Sequence, residues 1–405
     1  MTKQVQEAYI VAATRLPVGK KGGVLGRTRP DDLLVAAIQG VLAQAPEVDP
    51  ALIGDVIVGC AMPEAEQGMN MARMAVLLAG LPDTVPGVTI NRFCSSGVQA
   101  VADAAAKIRL GEADVMIAAG AESMSMMSQM MGNKVAINPA IFNHKENLGI
   151  AYGMGLTAEK VAERWNISRE DQDAFAVASH LRALAAQQAG HFDAEITPFE
   201  TVSYQPLLQN GAISAQASVL EKKRLITADE GPRPDSSIEG LARLRPVFAA
   251  RGSVTAGNSS QMSDGAAAVL LVSEKILKQY NLDPIGRFVS YAVAGVAPDV
   301  MGIGPVAAIP KALEQAGLSQ DQLDWIELNE AFAAQALAVS RSLDLDPARV
   351  NPLGGAIALG HPLGATGAIR TATVLHGLRR TGGKYGMVTM CIGTGMGAAG
   401  IFEVL

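Results

Sequence analysis

The chain has 405 residues and a mass of 42.0 kDa, and 49% of its residues are hydrophobic. This length allows roughly two or three domains with a large buried core, which excludes a mini-protein and a disordered tail. The net charge of −6 and the pI near 5.5, without a block of basic residues, exclude the basic surface that nucleic-acid binding requires, so we expect no nucleic-acid partner.

The sequence carries no recognisable targeting segment. Residues 1–7 are polar, and apolar stretches elsewhere are broken well before the ~20 residues that a transmembrane helix needs. The final residues Glu403-Val-Leu405 differ from the peroxisomal Ser-Lys-Leu signal, and the N-terminus is not rich in Arg and Ser. Three cysteines cannot build a disulfide framework and suit a reducing compartment. We expect a cytoplasmic protein without a transmembrane segment.

Predicted strands and helices alternate over residues 1–121. They are a helix around 36–45, a strand at 55–60, a helix at 66–80, a strand ending at Asn91, a helix at 98–110 and a strand at 114–119. Helical spacing of apolar residues marks the helices, and continuous apolar runs mark buried strands. This alternation favours parallel pairing through right-handed crossovers, and so a layered α/β unit.

Residues 122–251 interrupt this pattern. Within them, Ser168-Arg-Glu-Asp171 resembles a capping box, an apolar stripe follows through Phe175, Val177, Leu181 and Leu184, and Gly190 ends the predicted helix. We predict that the interruption is an inserted lid or docking domain. The flanking residues 1–121 and 252–284 are then assigned to one N-terminal half.

Residues 285–405 form a C-terminal half that repeats the first. Six identities in register relate 307–316 to 36–45. A strand at 324–329, a helix at 330–343, a strand ending at Asn351, a helix at 368–378 and a strand at 385–391 follow. A repeat of this length indicates a duplicated α/β fold whose halves are related by a pseudo-twofold axis.

Four polar side chains stand at strand ends or helix starts of the two halves: Cys94, Asn329, His361 and Cys391. Equivalent strand ends of related halves face a common centre, and open α/β sheets bind ligands at the carboxyl ends of their strands, so we expect the four to meet. In the repeat, Cys60 corresponds to Asn329, and Cys94 roughly to His361. Equivalent positions therefore carry different chemistry.

Cys94 and His361 form a candidate nucleophile and base. Cys94 precedes Ser95-Ser96-Gly97 and a predicted helix, so backbone N–H groups and the positive helix end are expected to lower its thiol pKa. His361 lies in Gly360-His361-Pro362, where small residues let a ligand approach. Considered singly, each has a plainer alternative: an inert core cysteine, and a loop histidine bonded to its own backbone.

Cys391 opens the glycine-rich turn Cys391-Ile-Gly393-Thr-Gly395, whose bare backbone amides can donate to an oxyanion. A second thiol with an ordinary pKa of about 8–9 suits proton transfer at carbon. The alternatives are a buried small hydrophobe and a disulfide partner of Cys94. We predict that Cys60 is a core residue. The remaining histidines are predicted to be solvated: His144, His180, His191 and His376.

The remaining sequence patterns are weaker evidence for a function. Gly395-Met-Gly397-Ala-Ala-Gly400 matches a dinucleotide fingerprint, but no helix or acidic residue follows in the pattern that it requires, and Lys20-Lys21-Gly22-Gly23 lacks the spacing of a phosphate loop. No His, Cys or Asp spacing indicates a metal site, so we expect no metal. Methionines at 124, 126, 127, 130 and 131 suit an adaptable pocket for an acyl tail, or a packing or oligomer-contact loop.

Together the motifs closely resemble those of the thiolase family over almost the whole chain. They are, in order, Asn91-Arg-Phe-Cys94-Ser-Ser-Gly97, Asn329-Glu330-Ala331-Phe332, Gly360-His361-Pro362-Leu-Gly364 and Cys391-Ile-Gly393-Thr-Gly395. The resemblance implies a duplicated five-layered α-β-α-β-α fold with a loop domain inserted in the first half.

The same resemblance implies roles for the site residues. Cys94 would attack the acyl carbonyl with His361 as its base, giving an S-acyl enzyme. His361 and a water held by Asn329 would form one oxyanion hole, and the backbone amides of Cys94 and Gly393 the other. Cys391 would protonate the departing acetyl-CoA enolate and then deprotonate CoA; in condensation it would take the α-proton.

The resemblance also implies coenzyme A as co-substrate, with no permanently bound cofactor. Arg233 and Ser260 match positions that contact CoA. The positions that match the apolar wall around its pantetheine and acyl end are Met154, Phe248, Met301 and Phe332. A homodimer or homotetramer is a family expectation, and the sequence leaves open whether a β-oxidation partner subunit binds.

One segment bears on the acyl-chain length of the substrate. Short-chain biosynthetic thiolases typically carry His-Met-Gly where this chain has Gly153-Met154-Gly155. With Gly59-Cys60-Ala-Met-Pro63, this segment favours a degradative member that cleaves 3-ketoacyl-CoA with CoA in fatty-acid β-oxidation. The alternatives are a biosynthetic member that condenses two acetyl-CoA and a non-catalytic acyl-CoA- or lipid-binding relative. Ketoacyl-carrier-protein synthases share the fold, but the second thiol Cys391 argues against them.

Overall fold

The computed structural model describes residues 5–127, 138–206, 208–209, 212–213 and 219–405, so Met130 and Met131 lie outside the described residues. Its strands are Ala8–Arg15 (β1), Gly19–Lys20 (β2), Ile53–Gly59 (β3), Gly87–Ile90 (β4), Val115–Ser123 (β5), Phe199–Pro206 (β6), Leu208–Gln209 (β7), Ala212–Ile213 (β8), Val219–Ile226 (β9), Ser263–Ser273 (β10), Gly286–Gly295 (β11), Trp325–Leu328 (β12), Tyr385–Ile392 (β13) and Met396–Glu403 (β14).

The helices of the same residues are Pro30–Ala43 (α1), Met71–Leu78 (α2), Ser96–Arg109 (α3), Met124–Met127 (α4), Met154–Arg164 (α5), Arg169–Gln188 (α6), Ile238–Ala242 (α7), Glu274–Gln279 (α8), Gly304–Ala316 (α9), Ala333–Ser342 (α10), Ala356–Leu359 (α11) and Leu363–Thr381 (α12). Short 3₁₀ turns lie at Pro50–Leu52, Ala65–Gln67, Phe93–Ser95, Pro139–Asn143, Lys145–Ala151, Pro298–Ile303 and Gln320–Gln322.

The sheet consists of two half-sheets with the same strand order. The order β1-β10-β5-β3-β4 on one side is repeated as β11-β14-β13-β12 on the other. In both, the first two pairs are antiparallel and the next is parallel. Among the described strands, the two half-sheets pair with each other where β1 meets β11, at Tyr9–Arg287 and Ile10–Gly286. The duplication predicted from the sequence repeat is therefore confirmed.

Two expectations for the sheet are wrong. Pairing is not parallel throughout, because β14 follows β13 through a tight turn, which makes that pair an antiparallel hairpin. The strand predicted to end at Asn351 is reduced to a single bridge between Val350 and Ile326. The Asn351 side chain binds the edge of β12 instead: Oδ1 accepts from Leu328 N at 2.9 Å, and Nδ2 donates to Leu328 O at 2.8 Å.

Helices cover both half-sheets and fill the space between them. α1 and α2 pack on the outer face of the first half-sheet, and α9 and α10 on that of the second. α3 and α12 lie side by side in the middle, and their alanine-rich faces and Leu375 fill the central core. This is the predicted five-layered α-β-α-β-α arrangement.

The first turns of the two central helices touch backbone to backbone. A Cβ on Gly97 would lie 2.6 Å from Ala368 N, and one on Gly367 would lie 2.2 Å from Val98 N, so neither position has room for a side chain. Cys94 stands two residues before α3, and His361 two residues before α12. The contact therefore brings the two candidate residues to one place.

The residues predicted to form an insertion contain α4–α7 and the ribbon β6–β9. Ser168 caps α6 as predicted, its side chain accepting the N–H of Asp171 at 3.0 Å, and Gly190 beyond its end has a φ of +68°. The predicted apolar stripe is wrong. α6 buries Ala176, Ser179, His180 and Ala183, whereas Leu181 is 58% exposed, because this face makes polar contacts with the rest of the chain.

A buried ion-pair network ties these residues to both halves. Arg15 at the end of β1 binds Glu195 through Nε at 2.6 Å and Asp229 through Nη1 at 2.7 Å. Thr373 of α12 donates to Glu195 at 3.0 Å. The three charged side chains are almost fully buried, so each depends on its partners for compensation.

Replacing Arg15 with Met should lower the free energy of unfolding by about 3–5 kcal/mol, because Glu195 and Asp229 are left as uncompensated buried carboxylates. Urea denaturation at pH 7, followed by circular dichroism, measures the change. Arg29→Met is the matched control: it removes a solvent-exposed pair with Asp31 and should cost at most about 1 kcal/mol. Equal costs for the two variants would contradict a structural role of the network.

Candidate active site

Cys94 lies in a strained turn between β4 and α3. Phe93, the residue before it, has a φ of +46°, which is unusual for a bulky side chain, and Asn91 Oδ1 holds its N–H at 2.8 Å. The backbone amides of Gly393 and of Cys94 itself lie close enough to the Cys94 sulfur to act on its pKa. The turn thus presents the thiol to the glycine-rich segment after β13, as the sequence pattern predicts.

The pKa of Cys94 moves against expectation. Burial raises it to about 11, which outweighs the backbone donors from Gly393 and Cys94 that act in the predicted, lowering direction. Glu122 adds a negative charge nearby that raises the pKa further. At neutral pH Cys94 is therefore a thiol, and its attack on an electrophile requires a base.

His361 is 4% exposed, and Thr366 fixes its tautomer. Thr366 Oγ1 donates to Pro362 O at 3.2 Å, so it can only accept from His361 Nδ1, which lies 2.6 Å away. Nε2 is then the unprotonated nitrogen, 3.3 Å from Asn329 Nδ2. Burial, with the Arg370 cation, lowers the pKa of His361 to about 3. The ring is a neutral proton acceptor at physiological pH.

Asn329 lies beside this imidazole, directly after β12. Its backbone N–H donates to Thr389 O of β13 at 2.9 Å. Its buried Oδ1 has no hydrogen-bond partner among the described residues. Buried polar atoms without partners are rare, so this oxygen marks a place where a donor such as water can bind next to His361.

Cys391 ends β13 and is buried among Met301, Ala331 and Phe332. Burial and the nearby Cys94 raise its pKa well above the ordinary thiol value that the sequence led us to expect. All three cysteines are free, so the alternative of a Cys94–Cys391 disulfide is not what the structure has. Cys60 is fully buried, as predicted for a core residue.

The predicted apolar-wall residues lie together. The Phe248 and Phe332 rings pack edge to face with centroids 6.0 Å apart, and Met301 and Phe332 are buried. Met154 Sδ would be 3.9 Å, and the Phe93 ring 3.7 Å, from a Cβ placed on Gly393. The wall therefore reaches the glycine-rich turn that contains Gly393. Phe93 was missed at the sequence level, where an aromatic residue before a cysteine carries no signal of its own.

Glu122 is a second residue that the sequence did not single out. At the end of β5, its buried carboxylate accepts from Ala61 N at 2.8 Å, Gly364 N at 2.9 Å and Gln67 Nε2 at 2.6 Å. It joins the loop after β3 to the turn that carries His361. Glu122 thus helps to fix the position of the base relative to the first half.

A groove of about 440 Å³ opens beside the site, and Arg233 lines it. Ser260 lies between two other lining residues, Ser259 and Gln261, and its N–H donates to Ala331 O at 2.9 Å. Lys20 also lines the groove, although its segment lacks the pattern of a phosphate loop. The groove therefore carries two cationic side chains from distant parts of the chain.

The prediction that His180 is solvated is wrong. It is 4% exposed, lines the groove, and accepts the N–H of Arg233 at Nδ1 over 3.2 Å. His144 is exposed as predicted. His191 and His376 are half-buried, and His376 Nε2 lies 2.9 Å from Ala13 O. Burial of His180 depends on packing between distant segments, which its local sequence does not reveal.

Two features are absent from the described residues. None of their helices is both long and apolar enough to cross a membrane. Within the same ranges, no three His, Cys, Asp or Glu side chains are grouped so that they could hold a metal ion.

Comparisons with known proteins agree with this geometry. Family models described as "Thiolase, N-terminal domain" and "Thiolase, C-terminal domain" match residues 8–275 and 282–404. The 3-ketoacyl-CoA thiolase of Bacillus subtilis is 50% identical over 401 residues, covering 99% of this chain and 100% of that protein. The human peroxisomal 3-ketoacyl-CoA thiolase is 46% identical, covering 98% of this chain and 91% of that protein.

Solved structures give the same result. The Bacillus anthracis acetyl-CoA acetyltransferase superposes with a TM-score of 0.87 and 39% identity, covering 100% of both chains. The human mitochondrial 3-ketoacyl-CoA thiolase in complex with CoA superposes with a TM-score of 0.86, also with 39% identity and full coverage of both chains.

Thr366→Val should slow alkylation of Cys94 by iodoacetamide at pH 7 about tenfold or more, because the ring of His361 loses the contact that keeps Nε2 unprotonated. Thr366→Ser retains the hydroxyl and should react at nearly the wild-type rate. Peptide mass spectrometry measures the rate at each cysteine, with buried Cys60 as an internal control. Equal rates in the Val and Ser variants would mean that Thr366 does not support the base.

Proposed function

The chain belongs to the thiolase family, and we propose that it is a degradative thiolase. In this role it is an acyltransferase of fatty-acid β-oxidation, and it cleaves 3-ketoacyl-CoA with CoA to acetyl-CoA and a shortened acyl-CoA, reversibly. The observation that carries the proposal is the grouping of the half-buried thiol Cys94, the neutral imidazole His361 and the buried thiol Cys391 around a turn of bare amides. The relatives named as 3-ketoacyl-CoA thiolases over the full chain support the degradative direction.

In the first half-reaction, the proton of Cys94 passes to His361 Nε2 as the sulfur attacks the 3-keto carbon. The backbone amides of Cys94 and Gly393, which act on the Cys94 sulfur in the direction that lowers its pKa, are proposed to stabilise the negative charge that forms on the oxygen of that carbon. The C2–C3 bond then breaks, its electron pair moves to C2, and the acyl group stays on Cys94 as a thioester.

The departing enolate is stabilised at its oxygen by His361, now protonated, and by a water on Asn329. The unpartnered Asn329 Oδ1 supports this placement. Cys391 gives its proton to C2 and completes acetyl-CoA. Because its pKa is raised, Cys391 is fully protonated before this step and a strong base after it.

In the second half-reaction, the Cys391 thiolate takes the proton of the incoming CoA thiol. The CoA sulfur attacks the thioester carbon, and Cys94 leaves as a thiolate that recovers its proton from His361. Cys94 recovers its proton from His361, and Cys391 replaces the proton that it gave to C2 with the proton of the CoA thiol, so the cycle as proposed needs no metal and no permanently bound cofactor.

Coenzyme A is the proposed co-substrate, and the groove is its proposed docking site. Arg233 and Lys20 supply positive charge for phosphates, and Ser260 lies between the lining residues Ser259 and Gln261. Met154, Phe248, Met301 and Phe332 are proposed to line the path of pantetheine and acyl chain. A neighbouring human thiolase structure described as a complex with CoA supports this assignment.

Two further assignments are proposals. We assign 1–121 with 252–284 and 285–405 to the two halves, and 122–251 to the inserted docking domain, because β10 completes the half-sheet that β1 begins. We propose a cytoplasmic location, supported by three free thiols, which suit a reducing compartment.

The central test is CoA-dependent loss of 3-ketoacyl-CoA enolate absorbance with acyl chains of four to sixteen carbons. The degradative proposal expects activity that holds or rises with length. Cys94→Ala should abolish turnover, and Cys391→Ala should slow both the acylation of Cys94 and the release of acetyl-CoA, which form in equal amounts. Activity confined to acetoacetyl-CoA would assign the protein to the biosynthetic class, and CoA binding without turnover would overturn the enzymatic proposal.

The open edge of β4 supports a homodimer. Among the described residues β4 is the last strand of the sheet, and exposed apolar side chains lie on it or in neighbouring segments of the chain: Met69 at 93%, Leu78, Val88 and Phe93. An unpaired edge with an apolar surround favours pairing with another chain. We propose that a second copy covers this edge, and that a homotetramer, if formed, is built from such dimers.

The double variant Val88→Lys, Leu78→Lys should convert the dimer to monomer, because like charges from the two copies then meet at the apolar contact. Light scattering after size exclusion measures the mass. Val219→Lys, at an exposed apolar position on the β6–β9 ribbon, is the control and should leave the mass unchanged. A wild-type monomer, or a double variant that stays dimeric, would contradict the β4 interface.

A further inference from the structure

We propose that His180 positions the CoA-docking loop through its Nδ1 atom, and that it thereby sets the affinity for the nucleotide end of CoA. This inference rests on the proposed use of CoA. It assigns to His180 a positioning role that works through the backbone of Arg233.

The docking loop runs from 229 to 237 along the groove, and side chains hold its backbone at several points. Gln187 Nε2 donates to Asp229 O at 3.0 Å, and Gln261 Nε2 donates to Gly231 O at 3.0 Å. His180 Nδ1 accepts the N–H of Arg233 at 3.2 Å. Because this segment belongs to no helix or strand up to Ser237, these contacts determine where Arg233 stands.

The contact with Arg233 requires a neutral ring. A protonated imidazole donates from both nitrogens and would lose the acceptor that binds the Arg233 N–H. Burial lowers the pKa of His180 to about 4, the Arg233 and Lys20 cations act in the same direction, and only Asp235 opposes them. His180 is therefore an acceptor at Nδ1, with its proton on Nε2, throughout the physiological pH range.

Holding Arg233 by its backbone leaves its side chain available. The guanidinium pairs with Asp235 at 3.2 Å, and both side chains are largely exposed. An exposed pair of this kind is worth little, so a phosphate can compete with Asp235 for the guanidinium. The thioester end of CoA must reach Cys94, so the phosphates are the part that meets Arg233 and Lys20 in the groove. Fixing the loop in advance reduces the ordering that binding would otherwise require.

Three substitutions at His180 separate this role from packing. Asn places an oxygen near the position of Nδ1, Gln places its amide near Nε2, and Ala removes both. His180→Ala and His180→Gln should raise the KM for CoA about tenfold with kcat nearly unchanged, whereas His180→Asn should restore the wild-type KM. Leu181→Ala, at an exposed position on the same helix, controls for changes in helix stability.

A truncated substrate pair supplies the second readout. A 3-ketoacyl thioester of N-acetylcysteamine, with free N-acetylcysteamine as acceptor, lacks the nucleotide and should be turned over equally by wild type and all three variants. Loss of activity on this pair would show that His180 is a packing residue and overturn the inference. Rescue by Gln instead of Asn would also overturn it, because Nε2 would then be the atom that matters.

The two proposals fail in different ways. Wild-type protein that does not cleave 3-ketoacyl-CoA contradicts the proposed function, whatever the variants do. Wild-type protein that cleaves it, with an unchanged KM for CoA in His180→Ala, contradicts only the positioning role. Thermal unfolding of each variant, compared with Leu181→Ala, establishes that the proteins under comparison are folded.

Discussion

The backbone contact between the first turns of α3 and α12 is the constraint on which the site depends. Two helices normally keep the distance that their side chains impose, but Gly97 and Gly367 allow these two to approach until main-chain atoms touch. The residues that precede the helices, Cys94 and His361, are then brought together without any contact of their own. A side chain at either glycine would push the two helices apart and so separate Cys94 from His361.

The duplication explains how one geometry supports two kinds of chemistry. Equivalent strand ends supply Cys60 in one half and Asn329 in the other, and equivalent helix starts supply Cys94 and His361. At the strand ends only the second half offers a polar group beside the candidate site, because Cys60 is buried beside Glu122. At the helix starts the two halves contribute different side chains, a thiol and an imidazole, so the symmetric frame carries an asymmetric candidate site.

Much of the fold and of the candidate site could be predicted from the sequence, because the repeat and the residues at strand ends are local signals. The positions of Cys94, Asn329, His361 and Cys391 follow from which strand each residue ends or which helix it precedes. Chain order alone, however, does not reveal that β10 is antiparallel to its neighbours or that Asn351 replaces a strand with side-chain hydrogen bonds. Such outcomes depend on which distant segments become neighbours.

The electrostatic expectations failed for a related reason. A helix N-terminus beside Cys94 is visible in the sequence, but the degree of burial that opposes it is not, and burial has the larger effect on the pKa. His180 is a second residue whose burial could not be predicted from its local sequence. Its helix was predicted correctly, yet its burial depends on the loop at Arg233, more than 50 residues later in the chain.

The position of β10 has a consequence for how the chain reaches its native state. This strand lies between β1 and β5, yet it is synthesised after the whole segment that contains α4–α7. Until residues 263–273 emerge, β1 and β5 have no strand between them, and the apolar faces that later enclose the core remain uncovered. Long-range pairing of this kind folds slowly and exposes strand edges to other chains. During translation, the first half-sheet therefore stays incomplete until β10 has been synthesised.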